Sequence, residues 1–484
     1  MPHLDVADAL AGPDFAPTGP VRVTWEGGRL TALAPLPAAP AGPRRLLLPA
    51  PVNAHDHARP LSPTSFGAGG KPLETWLLRL AAAPAVDPWL AAAAALARAA
   101  LGGVAGAMVH YVRPMGGMSL TDEAAQVARA AEAVGLRIGL AMGMRDRNPL
   151  VYGAQDAVLA RIGAADAGAR ALLDRTVLAP PRDPAAQIAA VEEIAQAVRS
   201  DLVDVQFGPM GVQWCSPALL EGIAEASART GMRVHMHLLE TRYQRDWAER
   251  AFPGGGMVPW LKSIGLLTPR LTVAHAVWAS PDDLAVLAEC GVRVSVNTSS
   301  NLNLKSGIAP VPGMLAAGVP VAMGVDGCAF DEDDDALREL RLFKALHAGW
   351  GFDEILTPTR ALHAACVTGR GALGAPAGGV LEPGAPADLL ALDLDALDRD
   401  AIMPVDPREL LFARAAAPHL STLIVAGREV VADGRLTGLD AAEIHDRLRA
   451  AYREALPATE AFRAAWPAIE PAVAAHYRDA LGCC

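Results

Sequence analysis

The chain has 484 residues, of which 52% are hydrophobic and 20% are charged. This balance allows a buried core and excludes a mainly disordered chain or a coiled coil. The 42 lysines and arginines are outnumbered by 53 aspartates and glutamates, and the resulting net charge of −11 disfavours nucleic acids and anionic membranes as partners. A small-molecule ligand is therefore the first expectation.

The N-terminal segment contains acidic residues and no apolar stretch behind a basic flank. This pattern predicts neither a secretory signal nor a transit peptide, so we expect a cytoplasmic protein. The most apolar stretch, residues 90–109, is interrupted by Arg98 and three glycines, which indicates a buried helix followed by a strand rather than a membrane span. The six cysteines lack metal-binding spacing and predict free thiols, and the adjacent Cys483 and Cys484 indicate no particular role.

Short β-branched runs recur along the chain and alternate with alanine-rich stretches of helical spacing. This alternation is typical of parallel strands joined by helices. The eight predicted strands are residues 46–53, 103–110, 136–142, 202–208, 232–238, 271–275, 292–297 and 319–326. They predict an α/β fold, the closed (β/α)8 or TIM barrel, with a doubly wound open sheet as the alternative.

The two ends of the chain have a different pattern. Residues 21–30, 388–392 and 423–431 contain short strands and glycine turns, which predict one small β-sandwich built from both chain ends. The last segment has helical periodicity interrupted by prolines. We therefore predict four parts: residues 1–48 in the sandwich, 49–378 in the barrel, 379–437 in the sandwich again, and 438–484 as a helical tail.

Two pairs of histidines stand at predicted strand ends. His55 and His57 are two residues apart in an extended segment, so both imidazoles project to the same side and can reach one metal ion. A second pair, His235 and His237, ends the fifth strand. A single ion needs only one of this second pair, and the other is then either a satisfied core histidine or a histidine that contacts a ligand without binding the ion.

Two further polar residues end strands in the second half of the barrel. His275 ends the sixth strand and Asp326 ends the eighth. Side chains at the same end of several strands converge on one point only if the sheet closes. Because a buried carboxylate without a partner is costly, we expect a metal ion or hydrogen-bond donors beside Asp326.

These residues together resemble those of the amidohydrolase superfamily. The matching features are the HxH pair, the HxxE pattern of His237 and Glu240, His275, and the Asp-Gly pair that begins at Asp326. Residues 301–307 resemble the SNLKLxSG segment, and residues 381–389 the LxPGxxADL turn, of the cytosine deaminase-like branch, which includes chlorohydrolases and several deaminases. The resemblance covers roughly residues 20–435.

The resemblance implies one divalent metal ion, whose ligands are His55, His57, His237 and Asp326. Family members with two ions bridge them through a modified lysine on strand four, and residues 202–208 contain no lysine. His and Asp ligands suit several ions, so zinc is the first choice and iron or manganese are alternatives. His235 is left with a structural role or with a place beside a ligand, without binding the ion itself.

The resemblance also implies three catalytic residues, which are Glu240, His275 and Asp326. The ion lowers the pKa of water and so generates the nucleophile. Asp326 accepts the proton from that water, and Glu240 protonates first the ring and then the leaving group. His275 stabilises the charge that develops during the attack.

The predicted substrate-binding residues are Arg59, Trp89, His110, Gln206 and Asn301. Arg59 and Trp89 belong to a loop of residues 58–89, which is long enough to act as a lid and to fix an anionic or aromatic substrate. The other three lie in or just after predicted strands, where side chains can face the pocket.

The leading hypothesis is a metal-dependent hydrolase that acts on a C–N bond of a nitrogen heterocycle, most simply a deaminase that releases ammonia. A hydrolase that opens a cyclic amide, or a chlorohydrolase, would use the same metal, base and acid and is the enzymatic alternative. A barrel without catalytic activity that serves as a binding subunit is the non-enzymatic alternative. We expect a homodimer or a larger homo-oligomer.

Overall fold

The computed structural model describes residues 1–178, 182–327 and 332–481. Its strands, in chain order, are β1 (His3–Val6), β2 (Asp8–Ala11), β3 (Ala16–Pro17), β4 (Val21–Glu26), β5 (Arg29–Pro35), β6 (Arg45–Pro49), β7 (Val52–Asp56), β8 (Gly106–Tyr111), β9 (Arg137–Met144), β10 (Val203–Pro209), β11 (Val234–Leu238), β12 (Leu271–His275), β13 (Arg293–Val296), β14 (Val321–Met323), β15 (Leu389–Asp393), β16 (Leu420–Val425), β17 (Arg428–Ala432) and β18 (Arg435–Leu436).

The α-helices are α1 (Leu73–Arg79), α2 (Pro88–Leu101), α3 (Leu120–Val134), α4 (Asp156–Ala165), α5 (Ala167–Thr176), α6 (Pro184–Val198), α7 (Pro217–Thr230), α8 (Arg242–Ala251), α9 (Met257–Ser263), α10 (Pro281–Glu289), α11 (Thr298–Asn303), α12 (Val311–Ala317), α13 (Ala336–His347), α14 (Pro358–Leu362), α15 (Leu394–Leu397), α16 (Pro407–Arg414), α17 (Ala441–Ala455) and α18 (Glu460–Leu481). Helices therefore alternate with the strands from β7 to β14. Many of the helices begin after a residue whose side chain caps the first turn. Asp87, for example, accepts a hydrogen bond from the Leu90 N–H at the start of α2.

Strands β7 to β14 form one sheet of eight parallel strands arranged in chain order. The sheet closes beyond β14, where the backbone N–H of Asp326 donates to the carbonyl oxygen of His55 at 2.8 Å. The predicted TIM barrel is confirmed, and the doubly wound alternative is excluded because its edge strands would remain apart. All eight carboxyl ends lie at the same end of the barrel.

The first predicted strand, residues 46–53, is in fact two strands in two sheets. β6 pairs antiparallel with β15 in the sandwich, whereas β7 pairs parallel with β8 in the barrel. The break falls at Pro49 and Pro51, which have no N–H to donate to a continuous ladder. As a result, His55 lies inside the first barrel strand rather than after it.

Both ends of the chain contribute to the sandwich, as predicted. One sheet has the order β1-β4-β5, and the other has the order β18-β17-β16-β15-β6-β2-β3. Residues from both sheets, among them Val23, Trp25, Leu47 and Leu389, form one buried apolar cluster. The boundaries of the four predicted parts stay a prediction. The chain passes from the sandwich to the barrel between β6 and β7, close to the predicted boundary at residues 48 and 49.

A buried ion pair links the chain just after the barrel to the sandwich. Arg370 Nη2 lies 2.7 Å from Asp388 Oδ2, and both side chains are 2% exposed. The Asp388→Asn variant leaves the Arg370 cation buried without its anion, so we expect a loss of about 3–5 kcal/mol in the free energy of unfolding. Urea denaturation measures this loss.

The matched control is Asp174→Asn, which removes the exposed partner of Arg170. This change should cost less than about 1 kcal/mol, because exposed ion pairs are screened by water. Equal losses in the two variants would show that burial of the Arg370–Asp388 pair has no special weight.

The helical tail packs against the loop above the barrel. In α18, Glu470 Oε1 lies 2.5 Å from Lys71 Nζ, and the Tyr477 hydroxyl accepts from the Tyr152 N–H at 3.0 Å. Tyr452 of α17 lines a cavity beside the barrel mouth. The predicted tail is therefore part of the wall around the mouth.

Within the described part of the chain, no helix is long and apolar enough to cross a membrane. The three cysteines that the structure describes, Cys215, Cys290 and Cys366, are free thiols, as predicted. Burial raises the pKa of Cys215 and of Cys366 to about 12, which disfavours the nucleophilic thiolate. Cys328, Cys483 and Cys484 lie outside the described residues.

Candidate active site

Four side chains meet at the carboxyl end of the barrel: His55, His57, His237 and Asp326. Asp326 Oδ1 lies 3.4 Å from His55 Nε2 and 3.3 Å from His57 Nε2. His57 Nε2 lies 3.2 Å from His237 Nε2. Tetrahedral zinc, with bonds of about 2.0–2.1 Å, requires ligand atoms about 3.3–3.4 Å apart. These three separations are close to the spacing that one ion of this size requires.

The hydrogen bonds of the rings indicate which nitrogen is available to an ion. His57 Nδ1 and His237 Nδ1 donate to backbone carbonyl oxygens at 2.8 and 2.7 Å, which leaves a lone pair on each Nε2. These two lone pairs face each other across 3.2 Å and repel unless a cation lies beside them. His55 Nε2 and Asp326 Oδ1 are buried and have no hydrogen-bond partner among the described residues, a costly arrangement that an ion would relieve.

Burial and neighbouring charge set the protonation of these groups. Burial is the main reason that the pKa of each of the three histidines lies well below its ordinary value. Burial alone would raise the pKa of Asp326, but Arg59 Nη1 at 3.5 Å and the Ser300 hydroxyl, which donates at 2.6 Å, help to lower it to about 2. Neutral imidazoles and an ionised carboxylate are the forms that bind metal ions.

Glu240 and His275 lie beside this cluster. Glu240 Oε2 is 3.7 Å from His275 Nε2, and the Ser306 hydroxyl donates to Glu240 Oε1 at 3.2 Å. His275 Nδ1 donates to Asn301 Oδ1 at 2.8 Å, which fixes the ring. Burial raises the pKa of Glu240, so this carboxyl group can carry a proton at higher pH than an exposed glutamate.

Two of these residues have left-handed backbone conformations. The φ angle is 76° at His275 and 63° at Asp326. Such angles are uncommon for residues other than glycine and cost on the order of 1–3 kcal/mol each. The hydrogen bond from the Asp326 N–H to the His55 carbonyl oxygen helps to maintain the strained conformation of Asp326. Strain of this kind is concentrated at functional sites.

A small cavity lies above the cluster. Its polar lining comes from His57, Arg59, His237, Glu240, His275 and Asp326, and its apolar lining from Leu73, Trp76, Leu77, Leu80, Val112, Met210, Trp214 and Leu304. The Arg59 guanidinium lies 4.7 Å from the centroid of the Trp76 ring, a cation–π contact. The loop after β7, which includes α1, therefore covers the site, as predicted for a lid.

Glu74 attaches α1 to the chain beside Glu240. The Thr241 hydroxyl donates to Glu74 Oε1 at 2.5 Å, and the Glu74 side chain is buried. Burial raises the pKa of Glu74 to about 7 from an ordinary value of 4.5. Between these values the unfolded chain releases this proton while the folded chain keeps it. Folding is therefore progressively disfavoured as the pH rises from about 4.5 to about 7.

We expect the Glu74→Gln variant to lack this pH dependence. Relative to wild type, its free energy of unfolding should rise by about 3 kcal/mol between about pH 4.5 and pH 7 and then stay constant. Urea denaturation of both proteins across this range measures the difference. A difference that does not change with pH would contradict the assigned protonation of Glu74.

The structure distributes the five predicted substrate-binding residues unevenly. Of the five, only Arg59 lines the cavity. Asn301 contacts His275, and His110 is fully buried, with Nε2 3.0 Å from the Gly208 carbonyl oxygen. The structure does not bring the other two to the cavity: Gln206 donates to Asp204 and Ala372 inside the barrel, and Trp89 packs against the main core.

Several residues that shape the site were missed. Ser300 and Ser306 flank the NLNLK segment and bind the carboxylates of Asp326 and Glu240. Both serines are part of the SNLKLxSG pattern that this segment resembles, and that pattern could have indicated them. Tyr452 lines the cavity next to the site, and nothing in the pattern of the tail indicated this position.

Comparisons with known proteins agree with this site and fold. A model of the amidohydrolase family matches residues 46–430, and the chain belongs to this family. An 8-oxoguanine deaminase from Pseudomonas aeruginosa is 30% identical over 440 residues, covering 88% of this chain and 93% of that protein. A 5-methylthioadenosine/S-adenosylhomocysteine deaminase from Nitratidesulfovibrio vulgaris is 36% identical, but that match spans only about half of each protein, 48% of this chain and 52% of the relative.

Solved structures of similar fold include zinc-bound enzymes. An adenosine deaminase from Xanthomonas campestris with bound zinc has a TM-score of 0.75 and 23% identity, over 94% of this chain and 98% of that one. The atrazine chlorohydrolase TrzN from Arthrobacter aurescens, complexed with zinc, has a TM-score of 0.75 and 20% identity, over 93% of this chain and 100% of that one. At these identities the two structures establish the shared fold.

Proposed function

We propose that the protein is a metal-dependent aminohydrolase that removes an exocyclic amino group from a nitrogen heterocycle and releases ammonia. The observation that carries this proposal is the set of four inward atoms of His55, His57, His237 and Asp326, which lie 3.2–3.4 Å from their neighbours in the set. Two of the four have no hydrogen-bond partner within the described part of the chain. Family membership and the deaminase relatives support the reaction class.

His55, His57, His237 and Asp326 would hold one divalent ion, with zinc preferred because the spacing suits its tetrahedral bonds. When bound, such an ion acts as a Lewis acid that activates water for attack near neutral pH. Iron and manganese share these ligand preferences, and the identity of the ion in the cell depends partly on availability.

Glu240 is the proposed general acid. Burial raises its pKa, so it can deliver a proton to a ring nitrogen and thereby make the neighbouring carbon susceptible to attack. Its other oxygen is held by Ser306, which fixes the direction of the carboxyl group. After the attack, the ionised Glu240 takes the proton of the new hydroxyl group as the carbonyl forms and passes it to the departing amine, so that ammonia leaves rather than an amide anion. The proton that Asp326 accepted from the water then restores Glu240.

His275 and Asp326 have complementary roles in the proposal. Asp326 is ionised and accepts the proton of the attacking water. His275 donates from Nδ1 to Asn301, so its Nε2, which is directed toward Glu240, is an acceptor and can orient the attacking water by accepting a hydrogen bond from its O–H. Arg59 lies 3.5 Å from Asp326 Oδ1 and keeps this carboxylate ionised.

The cavity supports a flat, mainly apolar substrate. Trp76, Trp214 and Leu304 offer ring-binding surfaces, and the polar groups are gathered at the reacting end. Opening of a cyclic amide ring, or displacement of chloride, would use the same residues and is the second candidate, supported by the fold shared with the chlorohydrolase. A cytoplasmic location and assembly into a homo-oligomer are further parts of the proposal.

The test is a product analysis with protein of known zinc content. A panel of aminopurines, aminopyrimidines, pterins, triazines and cyclic amides is incubated with the enzyme, and ammonia, chloride and new carboxylates are measured. We expect ammonia in step with loss of the exocyclic amine. A new carboxylate without ammonia would support ring opening, and chloride release would support the chlorohydrolase. A zinc-loaded protein that turns over none of the panel would contradict the proposal.

A further inference from the structure

A buried histidine behind the candidate metal site is not used by the proposed reaction. His235 precedes His237 by two residues on β11 and is fully buried. Its Nε2 lies 2.7 Å from His55 Nδ1, and the two rings are stacked with an interplanar angle of 13°. Its other nitrogen, Nδ1, is buried and has no hydrogen-bond partner among the residues that the structure describes. Among the three proposed histidine ligands, His57 and His237 each bind a carbonyl oxygen through Nδ1, whereas His55 Nδ1 contacts His235 instead.

Only one arrangement of protons agrees with a metal ion on His55. The two facing nitrogens, 2.7 Å apart, must share one proton, because two lone pairs or two N–H groups would repel each other. If His235 were the donor to His55 Nδ1, the neutral ring of His55 would carry its own proton on Nε2 and could not bind an ion there. His55 must therefore donate from Nδ1, and His235 must accept at Nε2.

We propose that His235 is a positioning residue that holds His55 in the Nδ1–H tautomer, and so presents the Nε2 lone pair of His55 to the ion. This inference rests on the proposed metal site. His57 and His237 obtain the same tautomer from backbone carbonyl groups. His235 thus replaces, for His55, the acceptor that the backbone supplies to the other two ligands.

The ring of His110 packs edge-on against the ring of His235. Its Nε2 donates to the Gly208 carbonyl oxygen at 3.0 Å, so its buried Nδ1, which has no partner in the described ranges, is an acceptor. The assigned tautomer leaves His235 with an Nδ1–H donor, and the ring centroids of His110 and His235 are 5.5 Å apart. A Cβ at position 208 would lie 2.9 Å from His110 Nε2, so a glycine is needed there.

The same three rings do not form a second metal site. His55, His110 and His235 each offer a nitrogen within 4.8 Å of the others, which is close enough to suggest one. However, the 2.7 Å contact between His55 and His235 places a proton between the two nitrogens. Neither of these two nitrogens is then free as a ligand.

Zinc affinity, measured by competition with a chromophoric chelator, tests the inference. The His235→Leu variant removes the acceptor, and we expect its zinc affinity to fall about 10- to 100-fold, the effect typical of losing an outer hydrogen-bond partner of a ligand. The His235→Gln variant keeps an acceptor oxygen and should recover most of the affinity. The control is His347→Leu, a buried histidine of α13 away from the site, which should bind zinc like wild type.

Unchanged affinity in His235→Leu would overturn the inference, and so would a His235→Gln variant as weak as His235→Leu, since that result would indicate packing alone. A measurement on the wild-type chain covers the case in which His235→Leu does not fold. In ¹⁵N spectra of the zinc-loaded protein, His235 should carry its proton on Nδ1, and a proton on Nε2 would overturn the inference. A wild-type chain that binds no zinc would contradict the proposed function as well, whereas the other failures leave that function standing.

Discussion

The Asp326→Asn variant is expected to lose its metal ion and at least about 10³-fold in kcat/KM. The substitution keeps the size of the side chain and tolerates the φ angle of 63°, because asparagine adopts left-handed conformations more readily than most residues. It removes the negative charge that faces His55 and His57 at 3.3–3.4 Å. A loss of about 1.4 kcal/mol in transition-state stabilisation is tenfold in rate, and Lewis-acid activation supplies several times that amount.

The matched control is Asp433→Asn. Asp433 also has a positive φ angle, 47°, but its side chain is 90% exposed and lies in the sandwich region, between β17 and β18. Metal content by mass spectrometry and kcat/KM should be the same as in wild type. An Asp326→Asn protein that keeps both the ion and full activity would contradict the ligand assignment.

The Glu240→Gln variant is expected to keep its metal ion and lose about 10²- to 10⁴-fold in kcat, because it can no longer transfer a proton. Glutamine preserves an oxygen that can accept from Ser306, so the cavity should keep its shape. Zinc content and kcat are measured on the same preparation. Full turnover would reject Glu240 as the acid. Loss of zinc would mean that Glu240 is needed to retain the ion rather than to transfer a proton.

Much of the fold followed from local chemistry. Alternating strand and helix patterns predicted the barrel, and the HxH spacing placed His55 and His57 on one side of an extended segment. The position of Asp326 at the end of the last predicted strand was informative because a closed sheet brings the first and last strands together. In the structure, β14 ends at Met323 and Asp326 follows three residues later. The four proposed ligands are consequently close in space although they are far apart in sequence.

The substrate-facing residues could not be predicted in the same way. Gln206 lies three residues before the end of β10, and inward residues at that depth fill a lower layer of the barrel interior. Trp89 is the second residue of α2 and packs against the core beside it. Both outcomes depend on strand depth and helix direction, which sequence spacing does not specify. The split of residues 46–53 into two strands was signalled by Pro49 and Pro51, whose missing N–H groups break the ladder.

The most direct measurement is a zinc titration of the chelator-stripped protein, with bound zinc and ammonia release followed on the same samples. The rate should rise in proportion to bound zinc and level off at about one ion per chain, as expected for a site with a single set of four ligands. An undiminished rate in protein stripped of metal, or a rate that levels off only at two ions per chain, would contradict a single catalytic ion at the mouth of this barrel.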